Sequence, residues 1–266
     1  MRLKDVLKGK LNKRELALVP SSFDLVGDIA IFNEIPEELK RKEELLAETL
    51  LKLHKNIRVV CKKAGKYSGK LRTPKLKILA GEKRKETLHK EAGVLLKLNP
   101  ETCYFSTRSS TERLRIANLV KKGESVLTMF SGVSPFPLVI SKNSDAKEVY
   151  GIELNPIAHK YAIENIRINK ARNVTALKGD VRKVMPRLKK KFDRIIMPHP
   201  TEADSYLDLA LDYLKPHGTI HMYAFVDEKD FRKIVKEYEK DFKSVKLVKG
   251  QAFGPRIFRI CLDLKN

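Results

Sequence analysis

Apolar and polar positions along this chain follow two rhythms that change near residue 110. Before it, β-branched runs of strand length at 24–32 and 57–61 flank a segment at 36–53. There apolar residues recur at helical spacing after a proline and a pair of acids, which predicts a helix. Short strands are expected at 76–79, 87–89, 94–98 and 102–105, with Glu91-Ala92-Gly93 as a turn. Residues 1–108 therefore read as a small α+β domain.

From 110 onward strand and helix alternate, as a parallel sheet with crossover helices requires. Strands are expected at 125–128, 148–152, 174–177, 192–197 and 219–225, and helices at 111–120, 156–169, 203–214 and 228–240. Two closing strands, 245–252 and 257–263, are joined by Phe253-Gly254-Pro255-Arg256, too short for a crossover, so they must run antiparallel. The fold class over 109–266 is α/β: a mostly parallel, doubly wound sheet of seven strands ending in an antiparallel hairpin.

Charge changes the picture. Lys and Arg number 55 against 33 Asp and Glu, a net charge of +22, which repels itself in a compact state unless a polyanion accompanies it. Lys-rich surfaces also serve solubility and thermophily, but here lysine is not matched by acid. A nucleic acid is thus the expected partner, and the lysine-rich run 62–72, threaded with two glycines and ending in Arg72, suits a phosphate backbone. Residues that are 42% hydrophobic and 33% charged can close a core, which excludes a disordered or low-complexity chain. No run of about 18 apolar residues occurs, so no membrane is expected and a cytoplasmic location is. Cys61, Cys103 and Cys261 are odd in number and far apart, and six histidines are scattered, so neither a disulfide framework nor a metal site is expected.

In a doubly wound sheet the ligand lies outside the carboxyl ends of the strands. The first such loop, Thr128 to Phe136, has one glycine, Gly132, where a dinucleotide fingerprint has three, which argues against a nicotinamide dehydrogenase. The next strand ends in Glu153, about 20 residues on, where an acid can accept from both hydroxyls of a ribose. The third ends in Gly179-Asp180-Val181, and Asp180 can accept from an adenine amine. Helix capping or first-turn charge would explain Glu153 and Asp180 equally well.

Together the loops are more specific. Residues 128–136 (TMFSGVSPF), 151–156 (GIELNP), 178–184 (KGDVRKV) and 194–203 (RIIMPHPTEA) resemble the class I, S-adenosylmethionine-dependent tRNA (guanine-37 N1)-methyltransferases of the archaeal and eukaryotic type. Residues 22–39, 104–116 (YFSTRSSTERLRI) and 254–263 (GPRIFRICLD) extend the likeness over nearly the whole chain, which begins where that family's middle domain would, its N-terminal domain being expected to be absent. The resemblance implies a Rossmann-like methyltransferase domain, S-adenosylmethionine as cofactor, and an anticodon stem-loop clamped between the two domains of a monomer with its target base flipped out. It implies cofactor contacts from Thr128, Phe130, Gly132, Ser134, Glu153, Leu154, Asp180, Val181 and Pro198, and RNA contacts from Arg108, His199, Pro200 and Arg256. Removing the proton on guanine N1 requires a base and stabilising O6 requires a cation, roles the likeness gives to Glu112 and Arg72.

Residue by residue, simpler roles compete. Glu112 is also placed to close a capping box on Ser109, and Arg72 to be a solvated loop charge. Three departures from the family cluster at the site. Thr128 replaces an aspartate, Ser134 a glycine, and Pro198 an asparagine that holds the base; His199 is a candidate to compensate. Three readings follow: guanine-37 N1 methylation, methyl or aminocarboxypropyl transfer to a wyosine precursor of the same base, or tRNA binding with little catalysis.

Overall fold

Residues 2–65, 73–199 and 204–266 are described by the computed structural model. They form two units: Met1–Lys90 with Leu95–Thr107, and Glu91–Val94 with Arg108–Asn266.

The first unit opens with two short helices, α1 (Leu3–Val6) and α2 (Lys13–Leu18), the second started by a capping box in which Asn12 and Glu15 each bond the other's backbone N–H at 2.9 Å. The apolar run at 24–32 is two strands, β1 (Asp24–Val26) and β2 (Ile29–Phe32), rather than one. Gly27 breaks it with φ +56, and a Cβ there would meet the Thr87 hydroxyl at 2.1 Å, so a glycine is required at this turn. After a 3-10 segment comes α3 (Glu43–Leu53), whose buried Ala47 and Leu50 face the core built on the sheet β1-β2-β3-β4, where β3 is Val59–Lys63 and β4 is Leu76–Gly81, while Leu46 packs with Leu7, Leu11, Val19 and Leu39. The α3 crossover makes β2 and β3 parallel, whereas β4 returns antiparallel. β5 (Thr87–Glu91) and β6 (Val94–Leu98) pair as a hairpin. The strand expected at 102–105 does not form, because Asn99 captures the following N–H groups: its carbonyl accepts from Thr102 and Cys103, and its side chain from Glu101.

The second unit is a seven-stranded sheet of order β12-β13-β11-β10-β7-β8-β9, flanked by α4 (Ser110–Leu119), α5 (Pro135–Asn143), α6 (Pro156–Ile168), α7 (Val181–Leu188), α8 (Leu207–Asp212) and α9 (Phe231–Tyr238). Its strands β7 (Ser125–Thr128), β8 (Glu148–Glu153), β9 (Val174–Lys178), β10 (Phe192–Met197) and β11 (Leu214–Asp227) are parallel. The hairpin of β12 (Ser244–Gly254) and β13 (Ile257–Lys265) adds to β11 antiparallel, as its short connection demands. The α/β architecture with its antiparallel close is the one expected. Sequence pattern gave only possible starts for α5 and α7 and no extent: Phe136–Ile140 of α5 is buried on every side, and α7 carries Pro186 in its interior. The helix expected at 203–214 is shorter, beginning with a 3-10 turn at Asp204 before α8.

Among the described residues no helix is long and apolar enough to cross a membrane. Cys61, Cys103 and Cys261 are free thiols, all buried.

Within the second unit, Arg113 of α4 and Glu91 form a fork of two 2.5 Å hydrogen bonds, with both side chains 3% exposed. Removing one partner strands the other charge in a site water cannot reach. Glu91→Ala is therefore expected to lower the free energy of unfolding by about 3–5 kcal/mol. Urea denaturation checks this, and an unchanged midpoint would mean the pair contributes nothing.

Candidate active site at the carboxyl edge of the sheet

Strand order reverses between β7 and β10, since β8 and β9 are added on one side of β7 and β10 and β11 on the other. Loops leaving neighbouring strands there diverge and open a crevice. The loop after β7 is pinned along its length: Met129 N–H donates to the Ile196 carbonyl at 2.9 Å, and Ser131 N–H to Ile152 at 2.8 Å. Phe130, Gly132 and Ser134 take the left-handed conformation, with φ of 54°, 57° and 67°. For Phe130 and Ser134 that conformation is strained by roughly 1–2 kcal/mol each. Close approach is possible because Gly151 lies beneath, where a Cβ would come within 2.8 Å of the Ser131 hydroxyl.

Glu153 fastens three loops. One carboxylate oxygen accepts from Gly132 N–H at 2.6 Å, the other from Asn155 N–H at 2.7 Å, and its backbone carbonyl accepts from Gly179 at 2.9 Å. Burial raises its pKa, while the N–H bonds from Asn155, Gly132 and Leu154 oppose the shift. Glu153 is thus not a helix cap; Asn155 caps α6, accepting from Ile157 at 3.0 Å. Asp180 does cap a helix, α7, accepting from Arg182 N–H at 2.9 Å, which is the simpler of its two expected roles. Val181 is buried in the core, whereas Leu154 is half exposed.

Three hydroxyls around this crevice, those of Thr128, Ser131 and Ser134, are buried without a hydrogen-bond partner among the described residues. Leaving such a group unmatched costs about 1–3 kcal/mol each, so the loop is built for a polar ligand. A strand-end carboxylate beside hydroxyls that have no partner among the described residues matches the polarity of a nucleoside carrying an amino-acid tail. Across the crevice, Phe130 packs against His199 at 5.6 Å and Tyr206 at 5.0 Å, and the Arg182 guanidinium covers the Tyr206 ring at 4.4 Å. Arg182 lies in the motif 178–184 and Tyr206 in the helix expected at 203–214, but neither was expected to line the site.

Glu112, on α4, makes no capping box, and the Ser109 side chain makes no cap bond. Its carboxylate instead takes two hydrogen bonds from Arg115, at 2.8 and 2.7 Å, and one from the Tyr223 hydroxyl at 2.7 Å. Arg115 also grips Asp263, at 2.7 and 3.1 Å. Asp263 in turn meets His221 Nδ1 at 2.6 Å, and His221 Nε2 lies 2.6 Å from Arg194, which pairs with Glu124 at 2.8 Å. A guanidinium only donates, so Nε2 accepts and the ring proton sits on Nδ1, aimed at Asp263. Burial lowers the His221 pKa, keeping that neutral form. Burial alone would raise the Asp263 carboxyl, but hydrogen bonds from His221 and Arg115 outweigh it and hold the group well below the usual carboxylate range.

Histidines and cysteines that look scattered in sequence do meet here. His221, Cys261 and Asp263 place one ligand atom each within 4.8 Å of one another. Two guanidiniums, Arg115 and Arg194, already occupy this cluster, so its electrostatics suit an ion-pair core better than a cation cage.

Arg259 lies over the Tyr223 ring at 4.7 Å, donates to the Ser109 hydroxyl, and donates to the Pro198 carbonyl at 3.1 Å. It ties α4 to the loop after β10, a role the sequence did not suggest. Arg108 is exposed on the turn before α4, and Arg256 is exposed at the β12–β13 tip, 3.6 Å from Asp227. Arg72, Pro200 and most of the basic run 62–72 lie outside the described residues.

Known proteins resemble this arrangement. A family model described as the TRM5/TYW2 methyltransferase domain matches residues 87–248, and one described as the TYW2 N-terminal domain matches residues 3–84. The chain is 39% identical to the tRNA (guanine(37)-N(1))-methyltransferase Trm5b of Pyrococcus abyssi, over 91% of this chain and 71% of that one. It is 36% identical to the tRNA(Phe) (4-demethylwyosine(37)-C(7)) aminocarboxypropyltransferase of Methanocaldococcus jannaschii, over 78% of this chain and 79% of that one. Among solved structures it superposes on aTrm5 in complex with tRNALeu with a TM-score of 0.87 at 31% identity, covering 100% of this chain and 78% of that one.

The Asp263 cluster has a pH signature. A carboxylate whose pKa is lowered by folding contributes stability above its ordinary value of 3.8, and the contribution is withdrawn as pH falls below it. Asp263→Asn is expected to cost about 1.5–3 kcal/mol at neutral pH, because it takes from Arg115 one of its two counter-charges and from His221 the charged acceptor of its Nδ1 proton. The penalty should shrink as the wild type is acidified below about pH 4. Denaturant midpoints of the two proteins between pH 3 and 7 give the comparison; a penalty constant with pH would contradict it.

Proposed function

We propose that this chain, which belongs to the TRM5/TYW2 methyltransferase family, transfers a methyl group from S-adenosylmethionine to N1 of guanine 37 in the anticodon loop of tRNA. The observation that carries the reading is Glu112. A carboxylate that a capping box would absorb is instead held by Arg115 and Tyr223, on the face of the sheet where Arg259 reaches the loop after β10.

S-adenosylmethionine, when bound, supplies a methyl group on a sulfonium leaving group. The protein's own residues divide the remaining work. Glu153 accepts from the ribose hydroxyls, using the lone pairs that Gly132 and Asn155 leave open. Asp180 faces the adenine, and the Thr128, Ser131 and Ser134 hydroxyls take the polar amino-acid end. Guanine N1 is protonated at neutral pH. Glu112 accepts that proton, Arg72 stabilises the charge developing on O6, and Arg115 with Tyr223 keeps the carboxylate from turning away. His199 and Pro200 border the base. Arg108 and Arg256 meet phosphates, so affinity should fall steeply with added salt.

A second reading has its own support. The first unit matches the TYW2 N-terminal domain, a relative of similar identity transfers an aminocarboxypropyl group, and Pro198 stands where the asparagine that holds guanine is expected. Under that reading the acceptor is a wyosine precursor at position 37.

Labelled S-adenosylmethionine incubated with anticodon stem-loops bearing guanine or 4-demethylwyosine at position 37, followed by mass spectrometry of the nucleosides, separates the two. N1-methylguanosine supports the first reading, and a modified wyosine base with unmodified guanosine replaces it with the second. Retained RNA binding without any product at saturating cofactor leaves a binding protein. Glu112→Gln is expected to lower kcat roughly 10²- to 10⁴-fold while affinity for S-adenosylhomocysteine is kept. Glu153→Ala should do the reverse, weakening S-adenosylhomocysteine about 10- to 100-fold by calorimetry, the worth of hydrogen bonds to a charged group.

A further inference from the structure

Phe253 is 73% exposed at the end of β12, beside the Pro255-Arg256 turn. It sits in an irregularity of the ladder, between Ala252, opposite Phe258, and Gly254, opposite Ile257. Its ring meets that of Phe225, with centroids 4.3 Å apart and planes tilted by 37°. Phe225 lies on β11 directly opposite Arg259, and Tyr223, two residues earlier, lies opposite Cys261. Residues opposite one another and two apart share a face of the sheet. Phe225 and Tyr223 therefore point the same way, and Tyr223 is the residue whose hydroxyl holds Glu112. β11 runs past its last pairing with β10, Met197 opposite Met222, so the aromatic pair overhangs the carboxyl edge where the crevice opens.

An exposed aromatic ring stacked on the strand that also carries Tyr223 asks for a partner. The exposed apolar surface is one ring, not a patch, whereas a stable protein interface needs on the order of 800 Å² from each side with several anchors. A nucleobase is the size of one ring and has a π-face to offer. Arg256, 66% exposed at the same tip, supplies the charge that a phosphate beside that base would require, and the chain as a whole carries +22. Phe225 holds the Phe253 ring in place before any contact, which reduces the ordering cost of stacking.

We propose that Phe253, backed by Phe225, is a stacking platform for an unpaired nucleobase next to the one being modified in the acceptor RNA. The inference rests on the reading of an RNA acceptor given above. Phe225 is two strand residues, about 7 Å, beyond Tyr223, so the platform serves a neighbour of the target base rather than the target itself.

The test uses the full chain and an anticodon stem-loop with 2-aminopurine on either side of position 37. Wild type should quench the fluorescence of one of the two probes on binding. Phe253→Ala and Phe253→Leu should lose that quench and bind the RNA about 5- to 150-fold more weakly, the range of base–aromatic stacking. Phe253→Trp should retain both. Leucine still covers Phe225 but has no flat π-face, so it separates stacking from mere shielding of the core. Thermal melting and S-adenosylhomocysteine affinity, unchanged in all three variants, show that the fold and the crevice survive. If Phe253→Leu binds and quenches like wild type, the platform is overturned while the RNA reading stands. If wild type binds no stem-loop, the RNA reading fails and takes the platform with it.

Discussion

Asp263 is the charge around which the second unit is organised. It sits between the Arg115 guanidinium and the His221 imidazole, and from it hydrogen bonds run one way through Arg115 to Glu112 and Tyr223, and the other through His221 to Arg194 and Glu124. Four elements, α4, β10, β11 and β13, therefore share one electrostatic chain whose members each depend on the next for compensation. Desolvated charges of this kind are poor sources of net stability but strong determinants of geometry, because a displaced member leaves its neighbour uncompensated. The direction in which Glu112 points is the geometric product. With Arg115 and Tyr223 on its oxygens it cannot fold back onto its own helix terminus, as its sequence position alone suggests.

Glu153 does the corresponding work for the crevice, with backbone rather than ionic partners. Its side chain and carbonyl collect N–H groups from the loops after β7, β8 and β9, so three chain segments that leave the sheet separately are held in register. Strain is concentrated where those loops turn. Ser134 adopts a left-handed conformation at a position where the resembled family carries glycine, and its hydroxyl is left without a partner among the described residues. Thr128, in place of an aspartate, likewise contributes a buried hydroxyl in place of a charge.

The alternation of strands and helices after residue 110, and the antiparallel close forced by a short connection, were legible because they follow from period and loop length. Turns hidden inside apolar runs were not: Gly27 divides what looks like one strand, and Asn99 consumes the N–H groups a further strand would need. α5 was expected only as a possible helix start after the 128–136 loop, with no extent, because a helix buried on all sides has no polar stripe. At the site, the strand-end acids could be located from spacing, and Asp180 shows that location does not decide role, since its side chain also caps α7. Tyr223, Arg259 and the His221–Asp263 contact were out of reach, because they depend on which residues of β11 and β13 fall opposite one another, a register that no local pattern encodes.

The buried cysteines give the molecule an internal reporter. Cys61 belongs to the first unit and Cys261 to the second, and burial raises both thiols, Cys61 to about 11 and Cys261 well above its ordinary value. Alkylating reagents attack the thiolate, so neither residue reacts while its surroundings stay closed. Labelling followed by peptide mapping would then time the breathing of each half of the molecule separately, with no engineered probe.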